Sequence, residues 1–303
     1  MSGLAGVLLN SLFPVLLAAG AGYPLGRWLK VDPRPLSQVI FYIFSPCLVF
    51  TLLTDNQISG GDMVRVFALA TLVSLVIGLV TWCAGTLMKM DRRLLMAVLI
   101  ASIFMNAGNI GLPVTQFAFG ETALAFGTLF FVISVIFSYT IGVVLASMGA
   151  TGLGKSVANL LRLPTFYALL VAILFNLMGW KLPLPLDRAV RLLSSATIPC
   201  MLVLLGLQVQ RADLKENRSG LLLAGAMRLV VAPLLALGVG LLIGLKGSAY
   251  QAAVLEAGMP TAVLTTVLST EYDLLPSFVT SAVFLSTLLS PLTIGPLVAL
   301  LGG

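Results

Sequence analysis

Charge is scarce in this sequence, and histidine is missing altogether. Only 9 % of the 303 residues are Asp, Glu, Lys or Arg, whereas a soluble domain has about 25 %. Apolar residues make up 59 % of the chain, and the mean hydropathy is +1.09. Such a composition indicates lipid as the main solvent. We therefore predict an all-α integral membrane protein.

The lack of histidine and the scarcity of cysteine exclude several classes of site. Cys47, Cys83 and Cys200 lie in apolar runs and form no C-x-x-C pair. Zinc sites, haem attachment and histidine-based catalysis therefore have no ligands or bases here. The sequence contains no nucleophile–base constellation, so we do not expect an enzyme. We expect no cofactor apart from a coupling ion. The formal net charge is +6, but the basic residues lie mostly in short loops, so we expect no nucleic-acid partner.

The sequence contains ten apolar runs, each near the roughly 20 residues that a helix needs to cross a bilayer. The first run lacks a basic leader and a clear cleavage site, so we expect it to be retained. A glycine-rich link at 149–162 predicts a first repeat at 1–150 and a second at 151–303. The ten runs cover approximately residues 4–26, 35–54, 64–88, 94–120, 122–148, 164–180, 189–209, 219–245, 247–270 and 274–301.

The two halves carry similar landmarks at similar spacing. Ser45-Pro46-Cys47 in the second run is similar to Ile198-Pro199-Cys200 in the seventh, 153 residues later. Gly111-x-Pro113 in the fourth run and Gly258-x-Pro260 in the ninth are 147 residues apart. A repeat of five spans inserts its second copy upside down, so we predict ten helices in two inverted five-helix repeats. The alternative is that prolines, which are common in membrane helices, match by chance.

The fourth and ninth runs are interrupted in their middle. Met105–Val114 contains two glycines, two asparagines and a proline, and Glu256–Thr261 contains a glycine and a proline. Interrupted backbone is tolerated in a membrane only where protein or a wet cavity surrounds it. Paired interruptions in the two halves indicate the binding site of a transporter. We therefore expect crossed, broken helices 4 and 9, with helix 4 broken near Gly108–Gly111.

The broken ends predict a site for a small anion. The second half-helices would begin at Pro113 and Pro260, where free N–H groups and a positive dipole end favour a carboxylate. The ends of the first half-helices offer carbonyl groups that suit a cation. The alternative for the asparagines is that they only bond freed backbone. The candidate substrate contacts in the interruptions are Asn106, Asn109, Gly111, Pro113, Pro260 and Thr261, with Thr115 and Gln116 as weaker candidates.

Arg228 and Glu256 are the ionisable residues placed well inside apolar runs, whereas Asp55 and Asp62 are expected to be solvated loop acids. A charge buried in lipid costs at least about 2.5–3.5 kcal/mol, so Arg228 and Glu256 are functional candidates. Arg228 would hold a substrate carboxylate with its fork of donors. Three roles are open for Glu256: it binds a coupling sodium ion, it carries a proton, or it pairs with Arg228.

Lysine and arginine are distributed unevenly between the two sets of loops. The loops after odd-numbered runs hold eleven, and the opposite loops hold five. Cytoplasmic loops are enriched in these residues. We therefore expect both termini outside the cytoplasm, in an inner or plasma membrane.

Several stretches, taken in order along essentially the whole chain, resemble the auxin efflux carrier family. They include Leu12-Phe13-Pro14-Val15, Asn106-x-x-Asn109-x-Gly111-Leu112-Pro113, Met259-Pro260-Thr261-Ala262-Val263 and Ser286-Thr287-Leu288-Leu289-Ser290-Pro291. The chain is similar to the bacterial members of this family. They belong to the bile/arsenite/riboflavin transporter superfamily, with the plant auxin carriers and the bile acid:sodium symporters.

The resemblance implies a scaffold domain of helices 1, 2, 6 and 7 and a transport domain of helices 3–5 and 8–10. It also implies a homodimer joined through the scaffold domain and an elevator-type motion that moves organic anions. Asn106 matches the asparagine that contacts the substrate carboxylate in plant carriers. Glu256-x-Gly258-Met259 is similar to the sodium-binding run of the bile acid symporters, where Gln-Asn stands in place of Pro260-Thr261.

These observations together predict a secondary transporter of a small organic anion, with sodium or protons coupled at Glu256. Two other classes stay open: a membrane sensor or binding protein that does not transport, and a cation/proton antiporter with the same crossover. The antiporter is less favoured because the fourth run contains no acidic residue.

Overall fold

The described part of the chain is helical, and its residues form no named strand. A computed structural model describes residues 13–55, 59–147, 164–208 and 217–302. The predicted repeat boundary at 150, the link at 149–162 and the start of the first run lie outside these residues. The helices are α1 Phe13–Arg27, α2 Pro33–Asp55, α3 Gly60–Leu87, α4 Arg92–Ile103, α5 Ala107–Ala146, α6 Pro164–Met178, α7 Leu184–Gln208, α8 Arg218–Leu242, α9 Gly247–Ala257, α10 Leu264–Glu271, α11 Pro276–Leu289 and α12 Pro291–Gly302.

Five of the described helices are long and apolar enough to cross a membrane, or six if α11 and α12, bent by 49°, count as one span. The prediction of an all-helical chain with several membrane-capable helices is confirmed. The count of ten and the inverted order of the repeats stay predictions.

Local sequence explains where several helices begin and bend. Ser59 caps α3 by accepting a hydrogen bond from the N–H of Asp62 at 3.1 Å, so Asp62 is part of a helix start. Asp91 caps α4 in the same way. Within α5, Gly120 has a φ of +77°, which favours glycine and bends the helix where the fourth predicted run ends.

The helices pack in two groups. In the first, α1 lies so close to α7 that a Cβ on Gly22 would overlap the carbonyl of Val203. The Thr197 hydroxyl of α7 donates to the carbonyl of Phe44 in α2 at 3.0 Å, and α6 packs mainly on α2. In the second group, α9 packs on α5 and α3 packs on α4. Every residue of 94–108 and 252–262 is buried, so these two stretches lie in the centre of the molecule. We call the place where the two interrupted helices meet the crossover.

Candidate functional site

The first interruption lies between α4 and α5. α4 ends at Ile103, and a π-helical turn that opens α5 begins at Ala107. Asn106 caps this turn, because its side-chain oxygen accepts a hydrogen bond from the N–H of Asn109 at 3.2 Å. The helix therefore resumes before the glycines. The prediction of a break at Gly108–Gly111 is wrong by a few residues.

The second interruption, between α9 and α10, is longer. α9 ends at Ala257 and α10 begins at Leu264, so Gly258 and Pro260 lie in non-helical backbone. The N–H of Gly258 closes the end of α9 on the carbonyl of Leu255 at 3.0 Å. The second half-helix starts four residues after Pro260, and the prediction that it starts at Pro260 is wrong.

The two interruptions pair with each other, which explains the late start of α10. An antiparallel bridge joins Met105 to Thr261. Beside it, the N–H of Asn106 donates to the carbonyl of Pro260 at 2.7 Å. Unpaired backbone inside a membrane costs several kcal/mol, so this pairing permits both helices to break at one place. The two breaks therefore lie side by side.

Arg228 reaches the crossover from a π-helical turn of α8 and is fully buried. Its Nη1 donates to the carbonyls of Ser102 at 2.9 Å and Ile103 at 3.1 Å, the last two residues of α4. Its Nη2 donates to the carbonyl of Ala257, the last residue of α9. Arg228 therefore joins the carboxyl ends of both first half-helices.

Glu256 is also fully buried, and it does not pair with Arg228 in any ion pair described for this chain. Its Oε1 accepts a hydrogen bond from the Thr115 hydroxyl at 3.0 Å, and its Oε2 has no partner among the described residues. A Cβ on Gly111 would overlap Oε2, and a Cβ on Gly127 would lie 3.0 Å from Oε1. The side-chain carboxyl of Glu256, on α9, therefore packs directly against Gly111 and Gly127 of α5.

The two asparagines of the first interruption have different environments. Asn106 is 5 % exposed, and its Nδ2 has no hydrogen-bond partner within the described ranges. Asn109 is partly exposed. The oxygen of Asn106 therefore bonds freed backbone, while its nitrogen is a buried donor that can bond an acceptor such as an anion. Pro113 lies in the first turn of the α-helical part of α5 and is buried.

A cleft of about 550 Å³ lies between the first packing group and the part of α5 that follows the interruption. Its charged residues are Asp55, Glu121 and Arg191. Arg191 donates to Asp55 and to Asp187, each at 2.8 Å, and so joins α2 to α7. Gln116 donates to Glu121 at 2.8 Å. A cleft of this volume accommodates a small organic molecule.

The cleft includes residues that the sequence did not single out. Asn106 and Asn109 do not line it, whereas Gln116, a weaker candidate, does. Asp55 is exposed, as we expected, but it is the last residue of α2 and forms an ion pair with Arg191. The spacing of four between Asp187 and Arg191 indicates a pair on one helix, but no local pattern indicates the partner on α2.

Comparison with known proteins finds relatives along most of the chain. The family model described as "Membrane transport protein" matches residues 7–297. An uncharacterized transporter of Methanothermobacter thermautotrophicus is 27 % identical over 93 % of this chain and 94 % of its own length. A putative malonate transporter of Rhizobium meliloti is 26 % identical over 88 % of this chain and 86 % of its own. Auxin efflux carrier component 6 of Arabidopsis thaliana is 29 % identical over 45 % of this chain and 25 % of that protein.

Proposed function

The chain belongs to the membrane transport protein family, and from this premise we propose that it is a secondary active transporter of a small organic anion. The resemblance to the auxin efflux carriers is confirmed by a relative of that name. The family is one of multi-pass membrane transporters and not of enzymes. A carboxylate is the preferred substrate class, because a relative similar over most of the chain is a putative malonate transporter and malonate is a small dicarboxylate.

The main support for this proposal comes from the crossover. Next to the paired interruptions lies a buried donor, Nδ2 of Asn106, that has no partner among the described residues. Leaving such a donor unpaired costs roughly 1–3 kcal/mol, and a carboxylate oxygen would complete it. The positive end of the helix dipole at the start of α5 favours the same negative charge. We place the carboxylate at Asn106 and Asn109.

The other predicted contacts have more restricted roles in this proposal. Gly111 makes room for the carboxyl of Glu256, and Pro113, Pro260 and Thr261 shape the backbone around the anion. In this proposal Arg228 holds the backbone of the crossover, because its Nη1 and Nη2 atoms donate to carbonyls there. Its Nε has no partner among the described residues.

We further propose that the two packing groups move relative to each other in an elevator-type cycle. The first group, α1, α2, α6 and α7, would be the scaffold and the dimer interface, and the remaining helices would carry the substrate. The cleft between this group and α5 supports the idea, because it gives a path beside the crossover. The ten-span inverted arrangement, the plasma membrane and the external termini are part of the same proposal.

The test is radiolabelled malonate uptake into proteoliposomes, with a panel of small carboxylates as competitors. Asn109→Ala should reduce uptake at least tenfold, while the elution volume and thermal midpoint of the purified protein stay unchanged. Asn176→Ala is the matched control. That asparagine bonds the carbonyl of Leu53 within the first group, away from the crossover, so uptake should persist.

The outcomes separate the proposed classes. Unchanged uptake by Asn109→Ala would refute its assignment to the substrate site. A wild-type protein whose thermal midpoint rises with carboxylates but which shows no flux would be a sensor or binding protein.

Glu256 is proposed as the coupling residue, either for sodium or for a proton. Glu256→Gln keeps the shape of the side chain and an acceptor for Thr115 but removes the charge. We expect uptake by this variant to lose its dependence on sodium or on pH. Retained coupling would leave Glu256 with a packing role only.

A further inference from the structure

The carboxyl end of α4 has two carbonyls whose described partner is a side chain of another helix. The last four carbonyls of a helix lack partners within it. Here the carbonyls of Ala101 and Phe104 accept hydrogen bonds from the second interruption, at 2.8 and 2.9 Å. The carbonyls of Ser102 and Ile103 accept from the guanidinium of Arg228.

The carboxyl end of α9 is completed in a similar way. The carbonyls of Leu255 and Glu256 accept from the N–H groups of Gly258 and Met259, at 3.0 and 3.2 Å. The carbonyl of the next residue, which ends α9, accepts from Arg228. One buried guanidinium therefore completes the ends of two helices that belong to different parts of the sequence.

The charge of Arg228 is balanced by these helix ends. No carboxylate forms an ion pair with it in the described part of the chain. Each helix carboxyl end carries about −0.5 elementary charge, so two ends match one guanidinium. Buried arginines in membranes commonly bond backbone carbonyls for this reason.

We propose that the carbonyls of Ser102, Ile103 and Ala257 form a cation site that Arg228 fills permanently, so that no free sodium ion is needed there. In transporters with broken helices, the carboxyl ends of half-helices coordinate sodium. Here three such carbonyls converge on a cation that is attached to the chain. Any ion coupling then falls to Glu256. The consequence for transport rests on the proposed function, whereas occupation of the site does not.

Removing the side chain should open the site to free cations. Arg228→Ala leaves three carbonyls and two negative helix ends around a cavity, which sodium or a free guanidinium ion can enter. We would measure thermal midpoints of the detergent-purified protein in choline chloride, and with millimolar sodium chloride or guanidinium chloride added. Malonate uptake would be measured in proteoliposomes under the same three conditions.

Any rise of the wild-type midpoint with sodium should disappear in Glu256→Gln, because Glu256 is the proposed site of a coupling ion. The midpoint of Arg228→Ala should be lower in choline and should rise saturably with sodium or guanidinium. Its uptake should fall at least tenfold in choline and recover with the added cation. Arg65→Ala, which removes an exposed arginine paired with Asp62, is the control and should show no cation-specific change.

A second variant keeps the test decisive if Arg228→Ala does not fold. Arg228→Gln retains an amide donor for one carbonyl but no charge, and it should show the same response to cations. Folded Arg228 variants without any cation-specific shift would overturn the proposal.

A variant that retains Arg228 provides an independent test. If neither Arg228 variant folds, the midpoint of Glu256→Gln decides: independence of sodium supports the proposal, and a sodium-dependent midpoint overturns it. If the cation shifts occur but no protein, wild type included, transports any carboxylate tested, the cation site stands and the proposed function fails.

Discussion

The two interrupted helices carry the same Gly-x-Pro pattern but place it differently. Gly111 and Pro113 lie after the first break, in the helix that resumes there, whereas Gly258 and Pro260 are part of the second break. The first break is short and capped by a side chain, and the second is longer and has no side-chain cap. Similar landmarks therefore locate a crossover without fixing its register. One interruption supplies amides, and the other supplies backbone and a neighbouring carboxyl.

The largest expected effect is at Gly111, in the helix that resumes after the first break. Gly111→Ala places a methyl group on the Glu256 carboxyl, and overpacking of this kind should cost about 3 kcal/mol of stability. Gly258→Ala should cost less, because its Cβ would lie 2.8 Å from the end of the Leu297 side chain, which can move, and 3.2 Å from Pro233 Cβ. The Glu256 carboxyl is much closer to the added methyl group and is held by Thr115 on one side and by Gly127 on the other. Thermal midpoints and the monodisperse fraction after detergent extraction would measure both. Equal costs would contradict the difference between the two breaks.

Two further variants test the cause of this effect. Gly225→Ala is the control, because the added methyl group meets nothing within 4 Å, and it should leave stability unchanged or improve it by up to about 1 kcal/mol. Glu256→Ala should relieve part of the cost of Gly111→Ala in the double variant. Strict additivity would show that the carboxyl is not what the methyl group meets.

The existence of the crossover was predictable from sequence, but its contacts were not. Glycine, asparagine and proline inside apolar runs indicate a break because they weaken a helix where backbone cannot be left unpaired. Arg228 and Glu256 were identifiable because a charge in lipid needs a partner. Their partners lie far along the chain: Ser102 is 126 residues from Arg228, and Thr115 is 141 residues from Glu256. Helical periodicity shows which face a residue occupies, not which distant helix packs there.

An intermediate effect is expected at the cap of the first interruption. Asn106→Ala removes both the cap on Asn109 and the free Nδ2, so it should lower stability by about 1–2 kcal/mol and abolish carboxylate uptake. Asn106→Ser keeps a capping oxygen but lacks the amide nitrogen, so it should recover stability but not uptake. Thermal midpoints and malonate flux, measured on both variants, separate the two roles. Recovery of uptake by the serine would mean that Asn106 acts as a cap alone.

The smallest expected effect compares one hydroxyl from each side of the crossover. Thr115 donates to the carboxyl of Glu256, and Thr261 donates to the carbonyl of Ala101 at 2.8 Å. Either Thr→Val change removes one hydrogen bond and should lower the free energy of unfolding by about 1 kcal/mol. A lower thermal midpoint would show this loss. Only Thr115→Val alters the surroundings of the proposed coupling group, so only this variant should change how uptake depends on sodium or pH. A change of coupling in both variants would show that the two interruptions respond as a single unit. The bridge between Met105 and Thr261 would then transmit the loss of either hydroxyl to Glu256.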